Sequence, residues 1–344
     1  MKIRILIILS AIVLISTITF CQSNFVSNVS KRGTSAASFL TIGQGARATA
    51  MGSAFVAVAN DQSSLYWNPA GLAKIDGVGI YFDHTNWIAG VAYNFLAASY
   101  GLGEMGTVGF SFTSSSYGDM KVTTVDQPDG TGQIFTASDI AFSLGYALNL
   151  TDNFAIGFNP KIIYQSIWET SAIGFAMDLG VQYRTPFDGI MLGMSISNFG
   201  TKMHLQGNST MVIYDPDPTT TGNNGKIAAN LGTDYWSLPL NFRVGLAYSP
   251  ISTENNKFTV AIDAIHPSDN YESVNVGGEY VFHDMIAIRG GYKSLFLQNS
   301  EESFALGFGV KQILLGNVAI RLDYAYQNFG RLNNIQKFSL GISF

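Results

Sequence analysis

The chain has 344 residues, a length that suits two or three soluble domains or one large barrel. Only 12% are charged, about half the share usual in a soluble domain, while 36 glycines, 16 tyrosines and 24 phenylalanines suit closely packed strands with aromatic bands. A net charge of -5 gives no reason to expect a nucleic-acid partner, and a single cysteine excludes a disulfide framework.

Residues 1–21 read as a secretory signal, with Lys2 and Arg4 as the basic start and residues 5–15 as the apolar run. Cleavage is expected after Cys21, with Thr19 and Cys21 as the small residues before the cut. Acylation of Cys21 as a lipoprotein is the alternative, disfavoured by the bulk of Phe20. No later run of about 18 apolar residues suggests a spanning helix. Residues 22–37 are polar, rich in Ser and Asn, and read as a lead-in.

Residues 43–75 are the one long stretch without strand-and-turn character. Ala, Gly and Ser dominate it, so it has too few large side chains for a core of its own and must pack inside something else. Asn68 stands directly before Pro69, a capping residue followed by the residue best suited to the first helical position. One helical turn should therefore end near Trp67 and another begin at Pro69. Arg47 is the basic charge in the middle of the stretch and, if buried, needs an acceptor. The residues from Gly43 to Ala48 match GxGxxA, but they follow no strand and open no βαβ unit, so a nucleotide-binding reading is set aside.

GARATAMGSAFVAVAND at residues 45–61 and LYWNPAGLA at 65–73 resemble the N-terminal hallmark of the PorV/PorQ family of outer-membrane proteins, with Ser53 where the family commonly has glycine. The Asn68-Pro69-Ala70 element is also similar, over a shorter stretch, to the hatch motif of FadL-type fatty-acid channels. The resemblance implies that residues 22–76 form an N-terminal segment and hatch inside a barrel made by residues 77–344. Its structural motif is Gly45, Ala46, Arg47, Ala48, Met51, Gly52, Ala54, Phe55, Asp61, Tyr66, Trp67, Asn68, Pro69, Ala70, Gly71 and Leu72. It further implies a component of type IX secretion that binds the C-terminal sorting domain of secreted proteins at the extracellular face. Cargo would pass from the translocon to the surface attachment complex, with no catalysis and no cofactor. A FadL-like channel for hydrophobic small molecules is the alternative.

From Val78 onward the pattern has period two, which sends alternate side chains of a strand to opposite faces. Phe338, Leu340, Ile342 and Phe344 alternate with Lys337, Ser339, Gly341 and Ser343, and the same holds for residues 173–184, 242–248, 304–311 and 318–326. The runs are commonly about ten residues long, where five or six is typical of soluble sheets. With the signal sequence, this predicts an all-β fold, a transmembrane antiparallel β-barrel of about fourteen strands, with lipid as its outer partner. The expected spans are 78–85, 88–100, 104–117, 137–149, 153–168, 171–186, 189–199, 239–250, 256–265, 271–282, 285–293, 303–312, 317–327 and 335–344. Phe344 resembles the terminal signal by which such barrels are recognised for insertion.

Outer loops of such barrels are long and periplasmic turns short, which places both chain ends in the periplasm and connections 118–136 and 200–238 outside. The second mixes turn formers with Met211, Ile213, Tyr214 and Trp236, suited to lying over the barrel mouth or meeting a partner. Gly106 and Gly109 could permit a bulge in the third strand. His84, His204, His266 and His283 are far apart without metal-ligand spacing, and Ser195 and Ser197 lack the glycines of a nucleophile elbow, so no enzyme activity is read. Arg184, Arg243, Arg289, Arg321, Lys161, Lys311 and Lys337 should face inward with Asp178, Asp263, Glu279 and Asp323. Buried charges need partners, so mutual pairing is favoured over a selectivity lining.

Overall fold

The computed structural model describes residues 31–222, 225–297, 299–314 and 318–344. The expected signal sequence and Cys21 lie outside these residues. The described chain forms strands β1 (Val78–Asn86), β2 (Ala92–Gly101), β3 (Thr107–Lys121), β4 (Ile134–Thr151), β5 (Phe154–Ile167), β6 (Thr170–Arg184) and β7 (Ile190–Gly200). After three short strands, β8 (Gln206–Gly207), β9 (Met211–Tyr214) and β10 (Ile227–Asn230), come β11 (Asn241–Ser252), β12 (Asn256–Pro267), β13 (Ser273–Phe282) and β14 (Ile286–Leu295). The last are β15 (Phe304–Ile313), β16 (Ala319–Asn328) and β17 (Asn334–Ser343). The long strands pair antiparallel with their neighbours in chain order, and β1 pairs with both β2 and β17. The sheet is a closed barrel of fourteen long strands, with no free edge.

The alternation in the sequence becomes an outer and an inner wall. In β17, Phe338 points out, 48% exposed, while Lys337 and Ser339 point in, 1% and 4% exposed. Across the outside, Phe308 of β15, Tyr324 of β16 and Phe338 follow one another at ring-centroid distances of 5.6 and 5.1 Å. An apolar belt this continuous is unfavourable in water and suits lipid.

Several expected boundaries move. β2 begins at Ala92 because residues 88–90 form a tight bend, with Ala89 and Gly90 in the left-handed region. β3 and β4 run on to Lys121 and from Ile134, leaving residues 122–133 as their connection rather than 118–136. The β3 irregularity falls between Ser116 and Asp119, beside left-handed Gly118, and not at Gly109, which pairs regularly with Ser99 and Gly145. Gly109 instead gives clearance inward, since an added Cβ would lie 3.0 Å from the Leu72 side chain.

The barrel has two unlike rims. The upper rim carries residues 201–240, the longest connection; the lower carries tight links such as 152–153 and 253–255. At the upper rim Ser35 Oγ donates to Asp269 Oδ2 at 2.8 Å and Ala36 N to Ser237 O at 2.9 Å. At the lower rim Phe344 N donates to Val78 O at 2.9 Å. The first described residues and the C-terminus therefore occupy opposite rims. A chain running through the lumen before entering β1 must start and finish at opposite ends. The N-terminal residue itself lies outside the described residues.

Between those rims, residues 37–77 cross the lumen. Their helical pieces are short: a 3-10 turn, Ser38–Thr41, then Ala46–Ala50, Ser64–Trp67 and a 3-10 stretch, Pro69–Lys74. Asn68 separates the last two and caps the second, its Oδ1 accepting from Ala70 N at 3.2 Å.

Candidate functional site

The contact between this inner segment and the wall runs round the barrel. Gly45 N donates to Asp83 Oδ2 of β1 at 3.0 Å and Ala46 N to Ser339 Oγ of β17 at 2.8 Å. Buried Lys337 of the same strand donates to Gly43 O. On the far side, Phe55 N and Val56 N both donate to Asp263 Oδ2 of β12, at 2.7 and 2.9 Å. Asn68 Nδ2 donates to Val181 O of β6 at 3.0 Å, and Asn159 Nδ2 of β5 to Leu65 O at 2.8 Å. Short helices leave many backbone groups without intrahelical partners, and inward carboxylates, amides and hydroxyls satisfy them.

Close approach explains the inward glycines. A Cβ at Gly277 of β13 would lie 2.0 Å from Met51 O, and one at Gly180 of β6 would lie 2.1 Å from Asn68 Oδ1. Neither position tolerates a side chain while the segment stays in place.

The strongest electrostatic feature is a closed ring of three arginines and three carboxylates. In order, the contacts are Arg47 to Glu279 at 2.8 Å, Glu279 to Arg289 at 2.6 Å and Arg289 to Asp323 at 2.7 Å. Asp323 to Arg321 at 2.9 Å, Arg321 to Asp61 at 2.7 Å and Asp61 to Arg47 at 3.3 Å complete it. Arg47 and Asp61 belong to the inner segment and the other four to β13, β14 and β16. Burial opposes the charge on Asp61, yet Arg321 and Arg47 hold its carboxyl down at about 2. Burial likewise opposes the Arg47 charge, and Glu279 and Asp61 outweigh it, raising its pKa. The ring borders a polar cavity of about 550 Å³ at the lower rim.

The other inward charges divide. Lys161 pairs with Asp178 at 2.8 Å and donates to Asn198 Oδ1 at 2.7 Å. Lys311 meets Asp284 at 2.6 Å near the lower rim. Arg184, Arg243 and Asp263 make no ion pair among the described residues, so mutual pairing accounts for only part of the expected set. His84 Nδ1 lies 2.7 Å from Asn94 Oδ1 and His266 Nδ1 3.0 Å from Glu272 Oε1, in separate places. Ser195 and Ser197 lie beside Arg243 in the β7–β11 register, not beside a histidine.

Of the sixteen motif residues, Arg47 and Tyr66 are partly exposed and the rest are buried. Trp67 Nε1 donates to Gln44 O at 2.7 Å and its ring meets Phe55 edge-on at 6.0 Å, so the two halves of the hallmark pack together. Phe344 is exposed at the lower rim. Sequence reasoning missed the ring as a unit. Inward parity marks its four strand members, but only the register, with Glu279 opposite Arg289, and the path of the inner segment bring all six together.

At the upper rim, β9 and β10 form a two-stranded ribbon whose apolar side chains face outward, Ile213 being 75% exposed. Leu231 and Tyr235 beside it are also exposed. Below lies a cavity of about 330 Å³ lined by Ala36, Gln165, Ile167, Met203, Leu205 and Trp236, among others.

The fold is similar to that of the Ralstonia pickettii toluene transporter TbuX, with a TM-score of 0.55 at 12% identity over 87% of this chain and 97% of that one. It is also similar to the Pseudomonas putida toluene transporter TodX, with a TM-score of 0.53 at 14% identity over 88% and 97% of the two chains. At such identities the likeness is one of fold. No curated protein matches the chain. The family model of the type IX secretion system protein PorV matches residues 26–209, more than half of the chain, which therefore belongs to the PorV family of outer-membrane β-barrels.

Proposed function

We propose that the protein receives secreted proteins at the extracellular face and passes them from the translocon to the surface attachment machinery, recognising their C-terminal sorting domain. The observation that carries this reading, given the family, is the apolar ribbon at the upper rim. The long loops at that rim support an outward placing, and Phe344, read as the insertion signal, supports a periplasmic lower rim. There Ile213, Leu231 and Tyr235 stand clear of the lipid belt with no described residue covering them. Exposed apolar strands with free edges suit an extended partner segment, which adds backbone hydrogen bonds at the edge and buries alternate side chains. Residues 43–76 act as the hatch that keeps the barrel sealed while cargo is handled outside.

The test is photo-crosslinking from Ile213 and Tyr235 in cells. Adducts with proteins sharing a C-terminal sorting domain support the reading. A correctly inserted barrel that yields none sinks it.

A second reading, a channel for hydrophobic small molecules, rests on the upper cavity, where Ile167, Met203, Leu205 and Trp236 supply an apolar lining. Extraction of the purified barrel separates the two, since a channel should carry a bound apolar molecule that Met203→Glu removes.

A further inference from the structure

Arg243 stands apart from the other luminal cations. It is 5% exposed, two residues into β11 from the upper rim, and makes no ion pair among the described residues. Asp263, the carboxylate whose field it touches, spends Oδ2 on the amides of Phe55 and Val56, and its buried Oδ1 makes no hydrogen bond to Arg243 or any other described residue. Among the described residues, the one hydrogen bond from the guanidinium goes from NH1 to Ser197 Oγ at 3.3 Å. Its carbon lies 5.3 Å from the ring centroids of both Tyr66 and Trp67, so two aromatic faces share the charge without neutralising it.

The groups around it are also short of partners. Arg243 Nε, Ser195 Oγ, Asn241 Oδ1 and Tyr66 OH are buried polar atoms without a hydrogen-bond partner among the described residues. Ser195 sits directly opposite Arg243 and Ser197 opposite Asn241 in the β7–β11 pairing. Native interiors seldom leave several such atoms together, and still less beside a buried charge. All of them donate hydrogen bonds, or in the case of the Asn241 amide do so when turned over. Donors without partners on the elements that pack against a cation with no ion pair fit a negative guest better than water alone.

We propose that Arg243, with the hydroxyls of Ser195, Ser197 and Tyr66, forms a buried site for a small monovalent anion, a halide or the carboxylate of a small molecule. Occupied, the site clamps β7 and β11 onto Tyr66 and Trp67 of the inner segment. The inference is independent of the secretion reading, whose crosslinking test does not touch this site.

The experiment uses the mature chain in non-ionic detergent, with ionic strength held constant by a bulky sulfonate while chloride or acetate is titrated in. The wild type should gain about 3 °C or more in unfolding midpoint as the site fills. Whichever anion acts at the lower concentration identifies the source. Arg243→Gln should abolish the response. Ser197→Asp tethers a carboxylate beside NH1 and should also abolish it, so that one variant remains informative if the other fails to fold. A wild type no more responsive to either anion than these variants overturns the proposal and leaves water and the two rings as the guanidinium's company.

Discussion

Arg47 and Glu279 meet in a two-pronged contact, Nε to Oε2 and NH2 to Oε1, both at 2.8 Å, which ties the inner segment to β13. The fork geometry matches a planar guanidinium to a carboxylate and is lost with lysine. Because Glu279 also accepts from Arg289, its replacement by glutamine leaves two buried cations short of charge. Glu279→Gln should cost about 3–5 kcal/mol, whereas Arg47→Lys should cost less. The loss should appear first as faster hydrogen exchange over residues 46–61, and denaturant midpoints should give its size.

Asp61 gives the ring an acid limit. Its carboxyl is held at about 2 against an ordinary value of 3.8, so the unfolded chain takes up the proton at higher pH than the folded one. The contribution, on the order of 2 kcal/mol, is complete above about pH 4 and is lost as pH falls toward 2. Acid titration of stability should show that slope, and Asp61→Asn should flatten it while lowering stability at neutral pH.

The inward glycines give a steric test. Gly180→Val puts atoms where Asn68 Oδ1 stands, and Gly157→Val does the same to the Pro69 backbone, 2.3 Å from an added Cβ. Both should displace residues 68–74 without unfolding the wall, seen as protease cleavage at Lys74 and raised conductance in planar bilayers. Gly232→Ala, with nothing within 4 Å, should change neither.

Much of the barrel was legible because one strand period sorts side chains into two solvents. Lys337 and Phe338 are neighbours in sequence, and their burial, 1% against 48% exposed, follows from parity alone. The cap at Asn68 and the need of Arg47 for an acceptor were equally local inferences. The ring and the Arg243 cluster were not, since they depend on which residue of one strand stands opposite which of the next. Parity leaves that register open, as with Glu279 and Arg289 or Arg243 and Ser195. The rim that residues 35–37 meet was not legible either, because nothing in a polar lead-in says in which direction it crosses the lumen.

The upper-rim ribbon should be separable from the barrel. Residues 208–231 hold β9 and β10, which pair with each other, while the long strands close without them. Replacing that stretch with a short Gly/Ser linker should leave insertion and heat-modifiable mobility intact and abolish crosslinking to cargo.

Deleting the gene and comparing surface-attached, released and periplasmic proteins tests the central claim most directly. The account predicts that proteins sharing a C-terminal sorting domain build up in the periplasm and vanish from the surface, and that the wild-type gene restores them. An unchanged distribution of those proteins would contradict it.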